Sequence, residues 1–185
     1  MNSSSVRTVI GETLEARVRR SIRDVPDFPK PGIVFKDITP LLADAALFRE
    51  VTGALAQPFL GDGVTHVAGI ESRGFILAAP VSQRLEASFV PVRKPGKLPY
   101  LRARVEYALE YGTDALEIHR DACGERARVL VVDDVLATGG TAAAACALIE
   151  KVGGEVVGCS FLMVLSFLPG LNALTGRKVE TLIRY

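Results

Sequence analysis

The sequence predicts an α/β protein with a mostly parallel central sheet that is covered by helices on both faces. Strand-like segments alternate with helix-like segments along the 185 residues, and this order favours parallel strands joined by helical crossovers. Residues 128–132 form an almost continuously apolar, β-branched run, which is typical of a strand buried on both faces. The composition is 49% apolar and 23% charged, so a chain of this length can bury a sizeable core.

The first forty residues are predicted to form one helix and one ordered loop. Leu14, Val18 and Ile22 recur at helical spacing, which predicts a helix that ends before Pro26. Residues 27–40 contain several prolines and a glycine together with many apolar residues, a pattern that favours an ordered loop over a helix. We expect this N-terminal region to precede a core over residues 41–185 within a single domain.

The elements of the predicted core alternate in type. A basic loop with two prolines covers residues 94–99, and we expect it to belong to a flexible loop over about residues 94–112. The predicted strands cover residues 64–70, 88–93, 115–119, 128–132, 155–165 and 178–183, and the predicted helices cover residues 45–57, 74–85 and 141–152.

The segment after the buried strand carries the most informative motif. Asp133 and Asp134 follow the strand, and a glycine-containing loop then begins a helix. The N–H groups of such a loop and the positive end of the helix dipole bind anions, and the glycines let a phosphate approach the backbone closely. Ionised carboxylates accept hydrogen bonds from a ribose diol, so the segment predicts a sugar phosphate site at the carboxyl edge of the sheet. The residues predicted to hold the phosphate are Ala137, Thr138, Gly139, Gly140 and Thr141.

Other common ligand motifs are missing from the sequence. The P-loop pattern G-x-x-x-x-G-K-[ST] does not occur, and Gly61-x-Gly63 is followed by His66 where the dinucleotide motif G-x-G-x-x-G requires a third glycine. The two histidines and three cysteines show no zinc-ligand spacing. The sequence therefore disfavours a P-loop nucleotide site, a dinucleotide site and an all-protein zinc site.

Charge and hydropathy limit the classes of binding partner and the cellular compartment that the sequence favours. The net charge of +1 does not indicate a nucleic-acid surface. The most apolar stretch, residues 156–171, is interrupted by Ser160, Ser166 and Pro169 and is shorter than the roughly 20 apolar residues of a membrane helix. An odd number of cysteines without a secretory signal favours a reducing cytosol. We expect a cytoplasmic protein that binds neither nucleic acid nor membranes.

Several segments together resemble the adenine phosphoribosyltransferase branch of the type I phosphoribosyltransferase family. The acidic pair and loop within residues 129–141 resemble the family's motif for 5-phospho-α-D-ribose 1-diphosphate (PRPP). The match covers roughly residues 25–152, and beyond it Val164 and Ser166 stand where the family pattern leads us to expect acidic residues. The other matching segments are residues 27–40 (D-F-P-x-P-G-I-V-F-K-D-I-T-P), 69–75 (G-I-E-S-R-G-F), 93–99 (R-K-P-G-K-L-P) and 109–112 (L-E-Y-G).

The resemblance implies that adenine and PRPP react to give AMP and diphosphate, a purine salvage reaction. It implies Glu110 as the general acid/base, Tyr111 as part of a lid that closes over the site, and Arg73 as a catalytic cation at the leaving group. The acidic pair would bind the ribose diol. Pyrophosphate would contact Ser72, Arg73, Arg93, Lys94 and Lys97, and adenine would contact Val34, Phe35 and Lys36.

The resemblance also implies a magnesium ion, a homodimer and no organic cofactor. Mg²⁺ typically binds through substrate phosphates and one or two carboxylates, so its protein ligands stay unassigned. Two alternatives are a transferase for another purine base, which the motif over residues 27–40 disfavours, and a PRPP-sensing transcription regulator without catalysis. A regulator would need a DNA-binding module, and the roughly 25 residues before the proline-rich loop are too short for a helix-turn-helix domain.

Overall fold

The computed structural model describes residues 12–108 and 112–185 of the chain. The chain divides into two compact units, Met1–Glu50 and Val51–Tyr185. The single-domain organisation expected from the sequence therefore stays a prediction, and the two units are described separately below.

A short amphipathic helix begins the described part of the first unit. Helix α1 (Leu14–Ser21) starts at Thr13, whose Oγ1 accepts a hydrogen bond of 3.2 Å from the N–H of Ala16. A threonine at this position satisfies one of the helix's unpaired N–H groups. Val18 on the apolar side is fully buried, as its helical spacing in the sequence predicts.

The segment after this helix contains more regular structure than the sequence indicates. Strand β1 (Arg23–Val25) pairs antiparallel with β2 (Phe35–Asp37), and helix α2 (Thr39–Ala43) follows directly. The prediction of a loop over residues 27–40 is thus only correct for its first part. The prolines of this segment led to the prediction of a loop, because proline is unfavourable inside helices and strands. Pro40, however, lies in the first turn of α2, where its missing N–H costs no hydrogen bond.

The remaining described elements alternate largely as the sequence predicts. Helices and strands follow one another to the C-terminus, with two short 3-10 helices that have no counterpart in the sequence prediction. They are α3 (Ala45–Ala56), a 3-10 helix (Gln57–Phe59), β3 (His66–Ile70), α4 (Arg73–Arg84), β4 (Ser88–Val92), β5 (Arg102–Ala108), β6 (Thr113–His119), β7 (Arg128–Leu136), α5 (Gly140–Lys151), β8 (Glu155–Val164), a 3-10 helix (Pro169–Leu174) and β9 (Val179–Arg184).

A five-stranded sheet in the order β4-β3-β7-β8-β9 organises the second unit, and all of its neighbouring strands pair in parallel. Val129, Leu130, Val131 and Val132 of the central strand β7 are fully buried. Because successive side chains of a strand point to opposite faces, this burial means that both faces of the sheet are covered. The predicted α/β fold with a parallel sheet is confirmed.

Strand β5 occupies part of the predicted flexible loop over residues 94–112 and pairs with β6 in an antiparallel ribbon. The two strands pair continuously from Arg102 opposite His119 to Ala108 opposite Thr113. Ala103 is buried, and Val105 and Tyr107 pack against the core cluster. This alternation explains the strand, since one face of β5 covers the core while its charged residues face outward.

Among the described residues, no helix is long and apolar enough to cross a membrane.

Candidate active site

A cavity of about 310 Å³ lies in the second unit at the carboxyl ends of β3 and β7. Parallel strands deliver the residues that follow them to this edge, where ligands of α/β proteins bind. Three segments form the cavity: the turn between β3 and α4, the segment after β4, and the end of β7 with its loop. Its lining residues are Glu71, Ser72, Arg73, Lys94, Asp133, Asp134, Val135, Leu136, Ala137, Thr138, Gly139, Thr141 and Ala142.

The loop between β7 and α5 contains the residues predicted to bind a phosphate, 137–141, and is called the phosphate loop below. Gly139 has a φ of 86° and precedes the first residue of α5, Gly140, so a left-handed residue turns the chain into the helix at the cavity wall. The helix begins at the cavity, and its first N–H groups have no partners within the helix. This arrangement is the one that the sequence analysis expects, and the anion site itself stays a prediction.

The acidic pair of the sequence motif lies at the end of β7. The N–H of Asp134 donates a hydrogen bond of 2.9 Å to Oδ1 of Asp133. Burial raises the pKa of the Asp133 carboxyl well above its usual range, and the neighbouring charge of Asp134 adds to that increase. Two ionised carboxylates side by side are costly in a partly dehydrated site, so the pair is suited to a ligand that donates hydrogen bonds to it.

Replacing Asp133 with asparagine is expected to stabilise the fold at neutral pH. A carboxyl whose pKa is raised in the folded state stabilises most at low pH, and that contribution is lost as pH rises through the raised pKa. The asparagine keeps the acceptor for the Asp134 N–H and removes the charge. We expect Asp133→Asn to match the parent near pH 3, below the ordinary carboxyl pKa of 3.8, and to exceed it at pH 8 by about 1 kcal/mol, or roughly 2–4 °C in Tm. Thermal unfolding at both pH values tests this, and an equal difference at both would contradict it.

Arg73 and Asp134 form an ion pair across the cavity. Nε of Arg73, the first residue of α4, lies 2.6 Å from Oδ2 of Asp134, which is almost fully buried. Gly74 lets the turn pack against the end of β7, because a Cβ at that position would lie only 2.7 Å from Oδ1 of Asp133 and 3.0 Å from the carbonyl oxygen of Val132. The turn between β3 and α4 therefore holds its arginine directly against the acidic pair.

Glu71 organises the basic segment that follows β4. Its Oε2 accepts hydrogen bonds from Nε of Arg93 at 3.2 Å and from the N–H of Lys94 at 2.9 Å. Burial opposes ionisation of Glu71, but these two hydrogen bonds outweigh it and hold the pKa of the carboxyl below its usual range. The peptide bond between Glu71 and Ser72 is cis. Glu71 thus pairs with the Arg93 guanidinium, while Lys94, whose N–H it also binds, lines the cavity.

A second polar network connects Lys94 with the phosphate loop. Nζ of Lys94 contacts Oδ2 of Asp114 and lies 3.1 Å from the hydroxyl of Tyr107. The Tyr107 hydroxyl is 3.2 Å from Oδ2 of Asp114 and accepts a hydrogen bond of 3.3 Å from Oγ1 of Thr141. Burial disfavours the ammonium, but the bonds to Asp114 and Tyr107 prevail, so the pKa of Lys94 is raised. The bond from Lys94 likewise lowers the pKa of Asp114.

Asp114→Asn is expected to weaken the binding of pyrophosphate in the cavity about three- to tenfold. An ammonium has three donors, two of which serve Asp114 and Tyr107, so the third can serve a ligand in the cavity. Without the carboxylate, the ammonium loses its charged partner and its fixed position, which is worth about 1 kcal/mol at this partly exposed site. Calorimetry with pyrophosphate would measure the change. The exposed Asp121 provides the matched control Asp121→Asn, and an unchanged affinity in Asp114→Asn would show that Asp114 does not position Lys94.

The cavity brings together most of the phosphate and pyrophosphate residues predicted from the sequence. Arg93 is directed to Glu71, Lys97 is exposed and offers its carbonyl oxygen to Arg93 at 3.3 Å, and Gly140 begins α5 without lining the cavity. Glu110 and Tyr111 lie outside the described residues. The predicted residues that line the cavity are Ser72, Arg73, Lys94, Asp133, Asp134, Ala137, Thr138, Gly139 and Thr141.

Four residues around the cavity were not predicted from the sequence. Glu71, Tyr107 and Asp114 hold the basic side chains in place, and Gly74 lets the turn between β3 and α4 pack against the end of β7. Glu71 and Gly74 belong to a segment that the sequence analysis did quote, so their proximity to Arg73 was a usable signal. Nothing in the sequence connects Asp114 with Lys94.

The residues predicted to contact adenine lie in the first unit. Val34 is half-exposed, Phe35 is partly buried on β2, and Nζ of Lys36 pairs with Oδ1 of Asp24 at 2.7 Å. The ring of Phe28 contacts that of Phe35 edge to face, with 5.2 Å between the centroids. An exposed apolar surface next to an aromatic ring suits a flat heterocycle.

The oxygen ligands that the cavity offers fit a magnesium ion that binds mainly through the phosphates of a ligand. Among the described residues, no group of three or more His, Cys, Asp or Glu side chains is arranged to hold a metal ion. The carboxylates of Glu71 and Asp134 are each paired with an arginine, which leaves Asp133 with the most acceptor capacity. One carboxylate together with substrate phosphates is a usual environment for Mg²⁺.

Comparison with known proteins gives a consistent result. The family model of the phosphoribosyl transferase domain matches residues 37–166. An adenine phosphoribosyltransferase of Myxococcus xanthus is 54% identical over 180 residues, which cover 97% of this chain and 98% of that protein.

Solved structures agree with the sequence comparison. The crystal structure of adenine phosphoribosyltransferase from Thermoanaerobacter pseudethanolicus has a TM-score of 0.90 at 50% identity and covers 94% of this chain and 100% of its own. The enzyme from Saccharomyces cerevisiae, in complex with adenine and an imino-altritol bisphosphate, has a TM-score of 0.87 at 34% identity, with 91% of this chain and 98% of its own covered.

Proposed function

The chain belongs to the adenine phosphoribosyltransferases of the phosphoribosyl transferase family, and from this membership we propose that it converts adenine and PRPP to AMP and diphosphate. The observation that carries the proposal is the cavity in which an acidic pair adjoins a phosphate loop and two basic side chains. A ribose diol, a 5′-phosphate and a diphosphate are the three groups that such a cavity can satisfy together.

We propose that the sugar phosphate half of PRPP binds along the end of β7. Asp133 and Asp134 would accept hydrogen bonds from the two ribose hydroxyls, because ionised carboxylates act only as acceptors. The 5′-phosphate would bind to the N–H groups and hydroxyls of residues 137–141 at the start of α5.

The diphosphate half of PRPP would lie against the basic residues. As the bond between C1′ of the ribose and the diphosphate oxygen breaks, positive charge develops on the sugar and negative charge on the leaving group. Arg73 offers a planar pair of N–H donors, and Lys94 offers a compact charge. Fixed cations that stabilise charge as it develops in the transition state account for much of an enzyme's rate acceleration. Ser72 adds a hydroxyl donor in the same turn.

Adenine would bind to the first unit and lose a proton during the reaction. Phe35 would stack on the purine, while backbone groups of Val34 and Lys36 read its edge. As the bond between C1′ and the purine ring nitrogen forms, Glu110 would accept the proton of that nitrogen, and it would return the proton in the reverse reaction. Tyr111 would help to exclude water from the reacting PRPP. These roles come from the family resemblance.

A magnesium ion would bind with PRPP, with Asp133 as its most available protein carboxylate. When bound, the ion neutralises phosphate charge and thereby assists departure of the diphosphate. The chain's own residues orient the sugar and hold the base.

We further propose that the enzyme works in purine salvage as a cytoplasmic homodimer. The odd number of cysteines favours a reducing compartment, and the three cysteines are free and buried, with Sγ of Cys146 and Sγ of Cys159 in a hydrogen bond of 3.7 Å. Half-exposed Ile76 and Phe89, the latter on the edge strand β4, supply apolar surface for a second copy. Light scattering on the purified protein would give the oligomeric state.

The decisive experiment offers adenine, hypoxanthine, guanine and xanthine separately, each with PRPP and Mg²⁺, and identifies the product by chromatography. We expect AMP from adenine and no nucleotide from the other three bases. Turnover with another base would overturn the assignment of Val34, Phe35 and Lys36. Tight PRPP binding without turnover of any base would instead favour the PRPP-sensing regulator.

A further inference from the structure

The 3-10 helix Pro169–Leu174 lies directly against the phosphate loop, although it is far from the loop in sequence. Gly170 in this helix is buried. A Cβ at Gly170 would lie 2.3 Å from the carbonyl oxygen of Ala137 and 3.0 Å from Cγ of Leu136. Real contacts between carbon and oxygen begin at about 3.3 Å, so any side chain at this position requires the backbone to move.

The opposite side of the same contact is equally tight. A Cβ at Gly139 would lie 2.6 Å from the carbonyl oxygen of Gly170 and 2.6 Å from Cβ of Ala173. Gly139 also has its φ of 86°, so both its conformation and its surroundings require glycine. Backbone therefore packs on backbone between the loop and the 3-10 helix.

The loop is placed between this helix and the cavity. Ala137 and Gly139 both line the cavity, whereas no residue of the 3-10 helix does. A displacement of the Ala137 carbonyl away from position 170 would therefore move loop residues that line the cavity. Donors that bind a phosphate must hold their positions closely, since a shift of about 1 Å can cost two orders of magnitude in rate.

We propose that Gly170 is a positioning residue for the 5′-phosphate. It acts indirectly, because it fixes the carbonyl of Ala137 and the backbone of Gly139 in the loop that would bind this phosphate. This inference rests on the proposed function, in which the loop binds the 5′-phosphate of PRPP. Gly170 lies beyond residue 166, where the family match ends. Because position 170 has no side chain, the 3-10 helix can pack its backbone directly against the side of the loop that faces away from the cavity.

The test compares two ligands that would occupy different halves of the cavity. Calorimetry would measure the binding of ribose 5-phosphate and, separately, of pyrophosphate to the full-length parent, to Gly170→Ala and to the control Gly124→Ala. Gly124 is exposed and has no atom within 4 Å of its Cβ position. We expect Gly170→Ala to weaken ribose 5-phosphate binding at least tenfold and to change pyrophosphate binding less than twofold. Gly124→Ala should bind both ligands as the parent does.

A second variant covers the case in which Gly170→Ala does not fold. Ala173→Val adds bulk at an exposed residue whose Cβ occupies the space beside Gly139, and we expect the same selective loss of ribose 5-phosphate binding. Parent-like binding of ribose 5-phosphate in a folded Gly170→Ala, or equal losses for both ligands, would overturn the proposal. If the parent protein makes AMP while either of these results is found, only the role of Gly170 fails. If the parent does not bind ribose 5-phosphate, the proposed function itself fails.

Discussion

Glu110→Ala is expected to lower kcat by about 10²- to 10⁴-fold and to leave the affinity for PRPP within twofold of the parent. General acid/base catalysis contributes an acceleration of this size, and alanine cannot accept the proton of the purine ring nitrogen. The PRPP contacts proposed above lie in the cavity at the end of β7 and do not involve residue 110. Steady-state kinetics with adenine and calorimetry with PRPP would measure the two effects separately.

The matched control for this variant is Glu125→Ala, because Glu125 is exposed on the surface of the second unit. Its kcat should equal that of the parent. Glu110→Gln should resemble Glu110→Ala, since an amide is close in shape to a carboxyl but does not take up the proton at neutral pH. A parent-like kcat in Glu110→Ala would remove Glu110 from the mechanism.

Asp134→Ala is expected to weaken ribose 5-phosphate and PRPP about 10- to 100-fold. A hydrogen bond to a charged group contributes roughly 1.5–3 kcal/mol, and the alanine removes the acceptor proposed for a ribose hydroxyl. The same change removes the ion pair with Arg73. Because Arg73 is 36% exposed, water screens the arginine left behind, and we expect a loss of about 1–2 kcal/mol in the free energy of unfolding.

Calorimetry with ribose 5-phosphate and thermal unfolding would check both parts of this expectation. Asp134→Asn keeps the shape and one acceptor, so its binding defect should be smaller than that of the alanine variant. Asp121→Ala serves as the surface control. Unchanged affinity for ribose 5-phosphate in Asp134→Ala would remove Asp134 from the sugar site.

The conformation of the loop before α5 could be predicted because its features are contiguous in the chain. Residues 137–141 combine glycines, hydroxyls and a helix start in one short run, and local rules of backbone conformation determine their geometry. The buried strand before the loop is equally local, since a short apolar and β-branched run is typical of a strand with both faces covered. The structure extends that strand to Leu136, so the acidic pair belongs to β7 itself.

Long-range contacts explain what could not be predicted. Strand β5 was missed for a different reason: its alternation of charged residues with Ala103, Val105 and Tyr107 is typical of a half-buried strand, and the prediction of a flexible loop overlooked it. Asp114 acts through Lys94, twenty residues away in sequence. The role proposed for Gly170 depends on its contact with the carbonyl of Ala137. For Asp114 and Gly170 the sequence shows only the residue type, and the fold is needed to show which residue each of them contacts.

The pairing of opposite charges around the cavity has a consequence for ligand selectivity. Arg73 with Asp134, Arg93 with Glu71, and Lys94 with Asp114 are all ion pairs, so three cations near the cavity each have a carboxylate counterion. An anion that offers only phosphate oxygens must compete with Asp134 for Arg73. PRPP brings a ribose diol for Asp134 together with phosphates for Arg73, so it can replace both partners of this ion pair. The site should therefore bind PRPP in preference to inorganic phosphate, which has no diol to offer the carboxylate and would otherwise occupy a bare basic pocket.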